Sequence, residues 1–94
     1  MNREELERQA LQGEEVARLL ECDAVRGLLD GQLAARREAI LALEPSDTQG
    51  FTRLRAGLAA LEEFLAGLHS LAAAGEQARE RLASDAPDGQ GRVL

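Results

Sequence analysis

The sequence predicts an all-α fold, an antiparallel helical hairpin with an additional N-terminal helix, and three observations point to it. Ala, Leu, Glu and Arg dominate the 94 residues, while the β-branched residues that sheets favour are scarce. Apolar residues recur in steps of three and four at Phe51, Leu54, Leu58, Leu61, Leu65 and Leu68, closing on Ala72. That spacing puts them on one face of a helix. Only two prolines occur, and Pro45 lies in a short polar stretch between two such patterns.

A chain of this length makes one domain with a modest core. That domain is expected over residues 1–84, with residues 85–94, which have lost all periodicity, as a disordered tail. The first helix is expected over residues 3–21. Asn2 followed by Glu5 is the spacing of a capping box. Leu6, Ala10, Gly13, Ala17 and Leu20 form a thin apolar stripe with Val16 and Leu19 beside it. Up to Asp23, seven acidic residues face three arginines, a net charge of −4, so this segment is marginal alone.

Cys22 and Asp23 interrupt the pattern, and Asp23 is a candidate cap for a second helix over residues 24–43. Val25, Leu28, Leu29, Leu33, Ala39, Ile40 and Leu43 face inward there, with Arg36 in the same row. Gly27 and Gly31 weaken it by roughly 1 kcal/mol each relative to Ala, a loss that packing or a closely approaching backbone must offset. Pro45 ends this helix, and Ser46 with Gln49 three residues on matches a capping box for the third, expected over residues 47–74. Gly75 is placed to cap its C-terminus, with a short helix over 76–83 beyond. Folding about Ser46 and Asp47 sets Leu43 beside Phe51, Ile40 beside Leu54, Leu33 beside Leu61, Leu29 beside Phe64 and Leu65, and Val25 beside Leu68. Arg36 then lies over Gly57.

The net charge of −6 repels a phosphate backbone and disfavours nucleic acid as a direct partner. All eleven basic residues are Arg, which we ascribe to GC-rich coding. A single cysteine allows no intramolecular disulfide and no multi-thiolate metal site. The charged start, Met1 to Glu7, has no apolar run for a signal peptide, and nowhere do eighteen apolar residues follow one another. A soluble, cytoplasmic protein with no membrane segment is expected.

Candidates for chemistry each have a plainer account. His69, the lone histidine, has Glu62 and Glu63 seven and six residues away, which is no ligand spacing, and reads as a rim histidine. Cys22 lies between Glu21 and Asp23 with no activating base beside it, and reads as a junction residue. Glu4-Glu5, Glu14-Glu15 and Glu62-Glu63 are adjacent, so their side chains diverge by about 100° on a helix and form no paired-carboxylate site. Arg36-Arg37 and Arg53-Arg55 flank the loop and read as ion-pairing residues or a positive end for an acidic partner. No phosphate loop, metal cluster or nucleophile–base pair is present, so no enzyme activity, cofactor, metal or small-molecule substrate is expected.

The third helix is more informative, because Gly57, Phe64 and Leu71 make a second row beside its seam. Its apolar face is broader than one partner covers, so Phe51, Leu54, Gly57, Leu58, Leu61, Phe64, Leu65, Leu68 and Leu71 are the expected interface, for a homo-oligomer or for docking on a larger assembly. Gly57, Ala59, Ala60, Ala66, Gly67, Ala73 and Ala74 add a flat surface that another helix can approach closely. That surface is either an intermolecular contact or the berth of the N-terminal helix.

Three features together resemble small helical-hairpin proteins from the structural and DNA-packaging gene modules of tailed bacteriophages. They are the helix ending Leu19-Leu20-Glu21 with the break and second helix after it, the turn Pro45-Ser46-Asp47-Thr48-Gln49-Gly50, and the leucine-ridged helix ending at Gly75, and the likeness covers about residues 8 to 80. The resemblance implies a non-enzymatic virion-associated or assembly protein with no catalytic residues to carry over. The alternative is a small acidic inhibitor or adaptor that acts as a monomer on a basic surface of a host protein.

Overall fold

The computed structural model describes residues 2–84 as three helices, α1 (Arg3–Glu21), α2 (Asp23–Leu41) and α3 (Thr48–Ser84), with no strand among the described residues. The fold is all-α. The tail expected over residues 85–94 lies outside the described residues.

Each helix start has a local cause. At α1 the Glu5 N–H donates to Asn2 Oδ1 at 2.8 Å and the Asn2 N–H donates to Glu5 Oε1 at 3.1 Å, closing the capping box in both directions. The α1–α2 junction is one residue long. Asp23 is not its cap: Cys22 holds the N-cap position with φ −71° and ψ 122°, it makes no side-chain cap bond, and Asp23 is the first helical residue. An acidic side chain there still complements the positive end of the helix dipole.

α2 stops at Leu41, two residues earlier than expected. The Ala42 N–H still donates to Glu38 O, and the Leu43 N–H then closes a tighter turn on Ile40 O at 3.2 Å. The cap of α3 is Asp47 and not Ser46. Asp47 Oδ1 accepts the Gly50 N–H at 2.8 Å, and the Asp47 carbonyl accepts the Phe51 N–H at 3.1 Å. Gly50 is buried against this carboxylate, where a Cβ would meet it at 2.5 to 2.9 Å.

α3 does not end at Gly75. It runs unbroken to Ser84, and no glycine in the described chain has a positive φ. A C-terminal cap would need Gly75 in the left-handed region. It stays right-handed instead, and the helix formers from Glu76 to Ala83 carry the ladder on.

The described chain packs as two units. One spans Leu20–Gly67 and contains α2, the loop and the first part of α3. Here Leu58 is buried and Leu54, Leu61 and Leu65 are half-buried, opposite half-buried Val25, Leu29, Leu33 and Ile40. Arg37 meets Glu62 at 3.6 Å across the two helices. Arg36 does not lie over Gly57. It donates back to Gln32 Oε1 at 2.6 Å, and a Cβ at Gly57 would meet nothing within 4 Å.

The other unit joins Leu19 and the residues before it to Leu68 and the residues after it. Its contact is made by two glycines. A Cβ on Gly13 would fall 2.5 Å from the Gly75 Cα and 2.9 Å from Leu71 O; one on Gly75 would fall 2.5 Å from the Gly13 Cα and 2.9 Å from Gln9 O. Backbone therefore touches backbone, and Leu6 and Ala78 are buried in the same unit. The berth of α1 is this Gly75 strip. It is not the small-residue surface at Gly57, Ala59, Ala60, Ala66, Gly67 and Ala73, which stays exposed; Ala74 alone of that set is half-buried.

Candidate interaction surface

The nine residues expected as an interface divide by depth. Leu58 is buried and Leu54, Leu61, Leu65 and Leu68 are half-buried, so the seam itself is spent on packing within the chain. Phe51, Gly57, Phe64 and Leu71 are exposed. A seam and an outer row have the same period in sequence, and the width of the neighbouring helix decides which of them is covered.

In the Leu20–Gly67 unit the two flanks of the helix pair differ in chemistry. At 3.6 residues per turn, Glu62 lies about 70° to one side of the α3 seam and Phe64 about 90° to the other. Arg37, which meets Glu62, marks the matching side of α2. On that side Arg37, Ile40, Leu41, Phe51, Arg55 and Leu58 line a shallow groove, with Leu41 the most exposed large apolar residue described, at 83%. The lining is almost wholly apolar, with one arginine contributed by each helix.

The opposite flank carries Leu28, Gln32, Ala35 and Ala39 from α2 and Gly57, Ala60 and Phe64 from α3. It holds no acidic group; its charges are Arg36, which donates to Gln32 Oε1, and the exposed Arg53 at the start of the Gly57–Phe64 row. Leu28 and Phe64 are 63% and 61% exposed, well beyond what core side chains of their type show. Phe64 stands above Gly57 and Ala60 on one side and Gly67 on the other, a large ring among positions with little or no side chain.

No family model, curated protein or solved structure matches this chain. The surface therefore has to be read from its own chemistry. His69, Cys22, Glu62 and Glu63 are all exposed, and among the described residues no group of three His, Cys, Asp or Glu side chains could hold a metal ion. No described helix is long and apolar enough to cross a membrane. Sequence reasoning missed the Arg37–Arg55 groove as a unit. It noted both arginine pairs, but Leu41 falls outside the seam and gave no periodic signal.

Proposed function

We propose that this protein is a non-enzymatic assembly module that self-associates through the Leu28–Phe64 flank of its α2/α3 pair. The observation that carries the reading is an exposed Phe on a face that combines a knob with glycine and alanine hollows, where the only charges, Arg36 and Arg53, lie at the margin. Such a face is its own complement, and a two-fold contact places the same patch on both partners. The occupant is a second copy of the chain. The setting we propose, from the likeness to phage structural modules, is a virion or its precursor.

Light scattering on the full chain tests this. The expected mass is a multiple of the 10.1 kDa of one chain, and Phe64→Glu lowers it at equal concentration while leaving helicity intact. A wild-type mass of one chain up to hundreds of micromolar overturns the reading. So does a Phe64→Glu mass equal to that of the wild type. A single-chain mass combined with tight binding to a basic host protein would support the inhibitor reading instead.

A further inference from the structure

We infer a second contact between copies, in which the outward ridge of α1 centred on Leu11 docks into the Arg37–Arg55 groove of another chain. It rests on the self-association reading but uses a different surface. Leu11 lies about 160° from the Gly13 row that α1 turns towards α3, and it is 61% exposed. Its neighbours one turn away on α1 are Glu7, Glu14, Glu15 and Arg8, and Arg79 and Leu82 of α3 line a shallow cleft with Glu7, Leu11 and Glu14. Glu7 and Glu14 meet only arginines of their own helix, Arg3 at 3.4 Å and Arg18 at 3.9 Å, in exposed pairs that bind weakly.

The groove has the opposite pattern. Leu41 and Phe51 are exposed beside Ile40 and Leu58, in a groove that Arg37 and Arg55 also line. Arg37 also meets Glu62, in a pair with both side chains about half exposed. An apolar side chain flanked by three carboxylates, with two arginines beside it, thus meets an apolar socket with an arginine on each helix, and arginine can grip a carboxylate through two hydrogen bonds. The chain carries both halves, which selects a second copy as the occupant. Because the two halves are different surfaces, the contact is head-to-tail and allows assemblies larger than a pair.

The test is sedimentation or light scattering of the full chain at low salt, beside Arg55→Glu and Glu15→Arg. Both substitutions fall on exposed helix positions, and circular dichroism should show unchanged helicity. The wild type is expected to exceed two chains with rising concentration. Each reversal should weaken the contact about tenfold, equal to about 1.4 kcal/mol, and hold the mass at two chains. Mixing the two variants should restore larger masses, since one keeps an intact ridge and the other an intact groove. Added salt should act like the reversals. A wild type that stops at two chains, with Arg55→Glu indistinguishable from it, overturns this contact and leaves the Phe64 reading standing. Loss of mass in Arg55→Glu but none in Phe64→Glu does the converse. A chain that stays single at every concentration ends both.

Discussion

The residues that decide most here are glycines, and they decide in opposite directions. At Gly13 and Gly75 a methyl group would meet backbone at 2.5 Å, and backbone cannot rotate away as a side chain can. At Gly27 a Cβ would meet nothing within 4 Å. Helix propensity alone assigns each Gly→Ala change the same gain, so the packing term sets the sign. Gly27→Ala is expected to stabilise the chain by about 0.5–1 kcal/mol. Gly13→Val should destabilise it by about 2 kcal/mol or more by forcing α1 away from α3. Urea titration followed by circular dichroism measures both, and a Gly13→Val midpoint at or above that of the wild type would show that this close approach does not exist.

At the scale of the element, the leucine spacing made α3 legible and the caps misplaced its ends. The steps of three and four at Leu65, Leu68, Ala72, Gly75, Ala78 and Leu82 never slip, so the continuation past Gly75 was written in the same period as the rest. Treating Gly75 as a stop gave local propensity more weight than that period. A glycine that admits a neighbouring backbone looks in sequence like a glycine that ends a helix, and only the partner, Gly13, tells them apart. The cap was ambiguous in a similar way, since Ser46 and Asp47 are both good N-caps and the turn geometry chose between them. The two flanks of α2/α3 were legible only in part, because the outer row containing Gly57 and Phe64 stood out while nothing in sequence paired Arg37 with Glu62. Asp47→Ala should cost about 1 kcal/mol, through loss of the bond to the Gly50 N–H, and Ser46→Ala should cost almost nothing. Thermal melts of the two variants check the assignment, and the reverse order would return the cap to Ser46.

For the whole molecule, the core is too thin to leave stability independent of partners. The buried apolar side chains among the described residues are Leu6, Leu58 and Ala78, and no large side chain is fully enclosed. Several large apolar residues, Leu28 and Phe64 among them, remain in water instead. Any contact that binds the folded chain and not the unfolded one adds to its stability by mass action. The melting temperature should therefore rise with chain concentration, each tenfold increase adding about 1.4 kcal/mol per mole of dimer. Phe64→Glu is diagnostic because an exposed side chain in a lone monomer is nearly neutral, within about 0.5 kcal/mol. If that flank is covered by a second copy, the substitution buries an unpaired carboxylate and costs far more. Calorimetry over a hundredfold range of concentration should show a rising midpoint for the wild type and a flatter, lower one for Phe64→Glu. Superimposable curves at every concentration would mean that the exposed leucines and phenylalanines are ordinary surface, and that the fold stands on its own sparse core.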